Sequence, residues 1–258
     1  MIEVFVTVLD RKGKYVSGLT QDHFEIFDNG SSCPISAFEP VASKLSCAIL
    51  LDRTGSMLAA MPVVKNAVLR FIDAFRENDL FAVYSFNTSL HTIQEFTQDK
   101  SAAKQAVLHT IAQGATALFD SLSEVAQQLS QQKGKKVIVV FTDGSDNSSY
   151  LDASSVVHRV KMLGIPVYAM AQGEALQNVG LMKTLQEMSR ATGATSFALK
   201  KSSEVEGVFQ AISTDLQHSY MIAYTPPDVK DTRWRTIRVN VKDLKDARIH
   251  AREGYYAR

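Results

Sequence analysis

Hydrophobic and polar positions alternate with period two through the first 40 residues. Val4, Val6 and Val8 fall on one side of an extended chain, with Phe5, Thr7 and Leu9 on the other. Phe24 to Phe27 and Ile35 to Phe38 read as two further strands. Asp28-Asn29-Gly30 supplies a tight turn, because Asn and Gly tolerate the positive φ that a hairpin needs. No helical period occurs in this stretch.

The pattern changes at about Leu45. Cys47 to Leu51 is a continuous apolar run, and Val137 to Phe141 is another. Such runs are expected of strands covered on both faces, as in a parallel sheet between helices. Between and after them the apolar spacing is three and four. Met61, Val64, Val68, Phe71, Ile72 and Phe75 define one helix. Ala102 to Ile111 and Leu118 to Leu129 are the next helices, after a strand over Phe81 to Phe86. Val156, Val157, Val160 and Leu163 mark a helix that stops at Gly164, and Leu181, Leu185 and Met188 one that ends near Gly193. Strands follow them over Pro166 to Ala171 and Thr195 to Leu199. Val205, Val208, Phe209, Ile212 and Leu216 mark the last helix.

Alternation returns at Ser219. Tyr220, Ile222 and Tyr224 share a face, then Ile237, Val239 and Val241, then Ala247, Ile249 and Ala251. The ends are therefore all-β and the middle is alternating β and α. This predicts an α/β class: a doubly wound, mainly parallel, Rossmann-like sheet with helices on both faces. A terminal piece of about 40 residues buries too little apolar surface alone. The two ends are therefore expected to pair into one small β-sandwich around the inserted α/β unit; two separate β appendages are the other arrangement the pattern allows. The expected boundaries are 1–43, 44–216 and 217–258.

Composition narrows the function classes. Lys plus Arg is 28 and Asp plus Glu is 27, so no global field favours nucleic acid or anionic lipid. No apolar run approaches the roughly 20 residues that span a bilayer. Met1 to Val6 lacks the features of a signal peptide and reads as the start of a strand, which suggests a trimmed chain and leaves room for a native leader upstream. Cys47 is expected in the core, and a Cys33–Cys47 disulfide is disfavoured.

In an open α/β sheet, ligands bind beyond the carboxyl ends of the strands. Asp52-Arg53-Thr54-Gly55-Ser56 follows the first doubly buried strand. Thr142-Asp143-Gly144 follows a later one, and Gly114-Ala115-Thr116 lies between helices. These loops place two carboxylates, Asp52 and Asp143, and three hydroxyls, Thr54, Ser56 and Thr116, at one edge. Hard oxygens in that number suit Mg²⁺, Mn²⁺ or Ca²⁺ and not zinc. Hydroxyls are neutral ligands, so a metal they hold keeps much of its charge and attracts an external carboxylate. The plainer reading is that Asp52 and Ser56 are turn or helix-cap residues; the coincidence of three such loops in order favours the site.

These residues carry a resemblance. Residues 44 to 216 resemble a von Willebrand factor type A, or integrin I-like, domain. The metal-ion-dependent adhesion site of that family reads Asp-x-Ser-x-Ser, a distant Thr and a distant Asp. Asp52, Thr54, Ser56, Thr116 and Asp143 match in order and chemistry, except that Thr54 stands where the family usually has Ser. Its extra methyl restricts the rotamer and is expected to weaken ligation. The resemblance implies a metal-dependent adhesion or protein-binding module, not an enzyme. Ser56, Thr54 and Thr116 would bind metal directly, Asp52 and Asp143 directly or through water, and a partner's Asp or Glu would complete the shell. Ligand exchange can couple in this family to the last helix, here about Glu204 to Leu216. Arg53, unusual beside a cation, is expected to point away or to help hold an anionic ligand. The flanking strands resemble those of bacterial proteins that carry such a domain between β segments and are commonly exported, to the periplasm, cell surface or medium.

Rival chemistries lack their residues. A haloacid-dehalogenase-type phosphotransferase needs a second Asp at position 54, which is Thr. No Gly-x-Gly-x-x-Gly, phosphate loop or Gly-x-Ser-x-Gly elbow occurs. A metal-assisted hydrolase or phosphatase remains the alternative, without a spare nucleophile or base beside the site. A scaffold with a vestigial site is the other. The six histidines are scattered, with His109 and His158 expected on exposed helix faces. Asp79, Asp120 and Asp146 read as caps or turn residues, Lys133 to Lys136 as a solvated turn, and Trp234, Tyr255 and Tyr256 as sandwich core or edge.

Overall fold

The computed structural model describes residues 1–40, 44–227, 233–244 and 246–257. The expected boundary at residue 43 lies outside them. Four strands open the chain: β1 (Ile2–Leu9), β2 (Phe24–Asp28), β3 (Ser31–Cys33) and β4 (Ile35–Glu39). The middle runs β5 (Leu45–Asp52), α1 (Met61–Asp73), β6 (Leu80–Phe86), β7 (Leu90–Thr97), α2 (Lys100–Leu108) and α3 (Leu118–Ser130). It continues through β8 (Lys135–Thr142), α4 (Ala153–Leu163), β9 (Val167–Gln172), α5 (Val179–Thr192), β10 (Ser196–Leu199) and α6 (Val205–Gln217). Four strands close it: β11 (Tyr220–Tyr224), β12 (Trp234–Val241), β13 (Arg248–His250) and β14 (Gly254–Tyr256).

The central sheet has the order β10-β9-β8-β5-β6-β7. All its pairings are parallel except β6 with β7. The doubly apolar runs occupy its middle for the expected reason. Cys47, Ile49 and Leu51 of β5 face α1, α2 and α6, while Ala48 and Leu50 face α3, α4 and α5. Both layers exclude water, so neither face of the strand can be polar. Helices α4 and α5 end as read, at Gly164 (φ 64°) and Gly193 (φ 83°), where the left-handed backbone favours glycine.

The termini build two antiparallel four-stranded sheets, β13-β1-β11-β4 and β14-β12-β2-β3. Each mixes strands from both ends of the chain. Val4, Val6, Tyr220 and Ile222 of one share a core with Phe24, Ile26, Ile237 and Val239 of the other. This is the sandwich expected from the two ends. A buried polar knot spans it: Asp28 accepts from Arg235 Nε at 2.7 Å, Tyr255 Oη at 2.7 Å and Tyr224 Oη at 3.0 Å.

Three details depart from the sequence pattern. Strand β7 is not expected from it. Its pairing with β6 shifts register twice, which breaks the period-two signal. Strands β3 and β14, three residues each, are too short to register as strands. Lys135 does not lie in a solvated turn: it opens β8, is 5% exposed, and its Nζ donates to Ser219 Oγ beside the end of α6. A lysine on a doubly covered strand carries no sequence mark of burial. Desolvation there lowers its pKa to about 8. Cys33 and Cys47 are unpaired thiols in separate cores.

Candidate metal centre

The carboxyl ends of β5 and β8, neighbours in the sheet, deliver Asp52 and Asp143 to one edge. Beyond β5 the chain turns sharply. Thr54 N–H donates to Asp52 Oδ1 at 2.9 Å, and a short 3₁₀ turn over Gly55–Leu58 begins. Thr54 and Ser56 then face each other, with Oγ1 and Oγ 3.0 Å apart. Ser56 Oγ donates to Asp143 Oδ1 at 2.8 Å. Asp52, Thr54, Ser56 and Asp143 therefore form one linked group.

Thr116 comes from a separate loop that is pinned against the first. Gln113 N–H donates to Arg53 O, Gly55 N–H to Gly114 O, and Thr116 N–H to Asn147 Oδ1. Thr116 Oγ1 makes no hydrogen bond among the described residues, although the residue is only 4% exposed. Gly144 shows where it points: a Cβ placed there would lie 3.3 Å from Thr116 Oγ1 and 3.9 Å from Ser56 Oγ. The absent side chain leaves room in front of both hydroxyls. All five expected side chains thus reach the same edge, four joined directly and Thr116 facing the space beside Gly144.

The segment is not a helix cap. The hydroxyl of Thr54 caps no backbone N–H, and α1 starts only after Ala60. Ser56 spends its proton on Asp143 instead of a helix end. Asp146 and Asp120, by contrast, do serve as turn and cap residues. Asp146 accepts from Phe119 N–H at the start of α3 and from Ser149 N–H; Asp120 accepts from Tyr150 and Leu151 N–H.

Electrostatics mark the pair as under-compensated. Neither Asp52 nor Asp143 has a Lys or Arg ion-pair partner among the described residues. Burial raises the pKa of Asp52, against hydrogen bonds from Thr54 and Thr142. Asp143 is pushed up to about 6, first by burial and then by the charges of Asp52 and Glu174, with the Ser56 hydrogen bond opposing. Arg53 does not neutralise them: its charge adds to burial in lowering the His91 pKa on β7. Among the described residues no cluster of three or more His, Cys, Asp or Glu is gathered. The donor set at this edge is two carboxylates plus hydroxyls, which fits a hard divalent cation and not a soft one.

Two contributors are hidden at the level of sequence. Thr142 Oγ1 donates to Asp52 Oδ2 at 2.8 Å from a fully buried position. Its only signal is a hydroxyl closing the apolar run Val137 to Phe141. Gly144 is one more loop glycine in the sequence, and its lack of Cβ is meaningful only beside Thr116.

The fold that carries these loops is that of a recognised class of domain. The family model of the von Willebrand factor type A domain matches residues 47–211, and the chain belongs to that family. Such domains generally mediate protein–protein interaction. A von Willebrand factor type A protein from Catenulispora acidiphila superposes with a TM-score of 0.59 at 16% identity, covering 90% of this chain and 73% of that one. The vWF domain of the type V pili tip protein Mfa5 from Porphyromonas gingivalis gives 0.55 at 11% identity, covering 74% and 99%. The PilB minor pilin from Streptococcus sanguinis gives 0.54 at 14% identity, covering 72% and 63%. At these identities the likeness is one of fold. A comparison with curated protein sequences gives no significant match.

Proposed function

We propose that the chain is a divalent-metal-dependent adhesion module. Asp52, Thr54, Ser56, Thr116 and Asp143 would hold Mg²⁺, Mn²⁺ or Ca²⁺, and a protein partner would add an Asp or Glu carboxylate. The observation that carries this is the Asp52–Thr54–Ser56–Asp143 group, with two desolvated carboxylates and, among the described residues, no Lys or Arg paired with them. A bound cation would supply the missing positive charge and the attraction for an external carboxylate.

The chain's own residues do the rest. Thr142 orients Asp52, and the Thr54 N–H fixes its other oxygen. Asn147 and Gln113 hold the loop that presents Thr116. Gly173 lies beside Asp143: a Cβ there would meet Asp143 O at 3.3 Å and Asp143 Cβ at 3.5 Å, so the approach favours a residue without a side chain. The fold relatives include a pilus tip protein and a minor pilin, which supports an exported, cell-surface setting for this chain as well.

The test is the cation itself. Millimolar Mg²⁺ or Mn²⁺ should raise the melting temperature of wild type and not of Asp143→Ala. No shift in wild type across Mg²⁺, Mn²⁺ and Ca²⁺ would refute the reading.

A further inference from the structure

Large apolar side chains left in water are not scattered over this molecule. Apart from Met1, the described ones are Leu58 (70% exposed), Val63 (39%), Leu108 (52%), Ile111 (69%), Tyr150 (100%) and Val179 (81%). Every one lies toward the carboxyl edge of the central sheet. Leu58 ends the turn that carries Ser56, and Val63 is in the first turn of α1. Leu108 closes α2, where its carbonyl accepts from Lys65, and Ile111 stands in the loop leading to Thr116. Tyr150 follows Asp143 in the loop anchored on Asp120. Val179 opens α5, next to Asn178, which donates to Ser145. Single exposed apolar residues need no explanation, but a set confined to one face marks an interaction surface.

We infer that this face seats a protein segment in which an acidic side chain is flanked by aromatic or large aliphatic ones. The inference rests on the cation site proposed above and names its partner's chemistry. The acidic group goes to the cation between Asp52 and Asp143, and the flanking side chains cover the rim. A second copy of this chain is the wrong occupant. It could offer only the same face in return, since among the described residues no other large apolar ones are exposed apart from Met1, and the Asp52 and Asp143 carboxylates of that face are buried and cannot reach a facing cation. A bilayer also fits poorly. Exposed Gln113, Asn147 and Glu174 interrupt the rim, so the apolar side chains form no continuous face that could enter lipid.

The test uses the full chain and a random, disulfide-closed peptide library displayed on phage, selected in millimolar Mg²⁺. Enriched clones should carry Asp or Glu within two positions of an aromatic or large aliphatic residue. The matching synthetic peptide should lose binding in chelator, on Asp→Asn in the peptide, and by at least about tenfold on Tyr150→Ser/Val179→Ser or Leu58→Ser/Ile111→Ser. These positions are exposed, so the melting temperature of each variant should stay at the wild-type value. Acidic clones with polar flanks, indifferent to the rim variants, would overturn the inference and leave the cation reading standing. So would an absence of enriched clones while Mg²⁺ still stabilises the protein. Apolar clones without an acidic residue, bound equally in chelator, would overturn the inference and also count against the cation reading. Cosedimentation with phosphatidylserine vesicles that the rim variants abolish would overturn it in favour of a membrane surface.

Discussion

Ser56 Oγ lies 2.8 Å from Asp143 Oδ1, although the two residues are 87 positions apart in the chain. The contact joins the loops after β5 and β8, and it holds a carboxylate that burial pushes toward its neutral form. That balance should respond to a cation, to protons and to changes in the residues that support it.

Cation and mutation should be non-additive at Asp143. In chelator, Asp143→Asn keeps an acceptor for Ser56 and removes a desolvated charge, so its stability should equal or exceed that of wild type. With cation present the order should reverse. Saturation at a hundred times the dissociation constant is worth about 2.7 kcal/mol, and only wild type should gain it. Urea midpoints of the two proteins with and without Mg²⁺ check this; parallel shifts in both would be the wrong outcome.

Protons should act in the opposite sense to the cation. The folded-state pKa of Asp143 is raised to about 6, above the roughly 3.9 of an unfolded Asp. Its contribution is therefore most favourable below the unfolded value and is lost as pH rises through about 6. Asp52 shifts in the same direction. Metal-stripped wild type should gain roughly 1–3 kcal/mol relative to Asp143→Asn between pH 7 and pH 4. Denaturation of both proteins in chelator across that window reads the difference.

Thr142→Val should cost about 1–3 kcal/mol, since it leaves a buried Asp52 oxygen short of a donor with little change of shape. It should also weaken cation affinity, because Asp52 loses a hydrogen bond that orients it. Thr142→Ser, which keeps the hydroxyl, should recover most of both. A cation titration followed by melting temperature distinguishes the pair.

The joint between the α/β unit and the sandwich should be more sensitive at Gly193 than at Gly164. Both have positive φ, so each alanine carries about 1 kcal/mol of backbone strain. A Cβ at Gly193 would also lie 2.6 Å from Arg252 N and 2.7 Å from Ala251 C, which are backbone atoms that cannot step aside. At Gly164 the obstacle is the end of the Arg252 side chain, which can rotate. Gly193→Ala should therefore cost about 2–4 kcal/mol and Gly164→Ala nearer 1. Comparable losses measured by urea denaturation would contradict this assignment.

Local pattern alone determined much of this protein. The two doubly apolar runs specified covered parallel strands, because a strand between two helical layers has no face for water. The end segments specified sheets that need each other, because neither carries enough apolar surface by itself. The order of Asp52, Thr54, Ser56, Thr116 and Asp143 marked the loops that meet at the carboxyl edge: parallel strand direction sends those after β5 and β8 to one side, and α2, which follows antiparallel β7, returns the Thr116 loop to it. What tertiary structure decided was everything that depends on a distance between remote residues. Only the pairing of β5 with β8 sets Ser56 to bond Asp143 rather than to cap α1, and puts Thr142 on Asp52. Only packing made Lys135 a buried residue and Gly144 an opening before Thr116. The apolar rim was invisible for the same reason. Leu58, Ile111, Tyr150 and Val179 stand far apart in sequence, and exposure belongs to the folded surface and not to the residue.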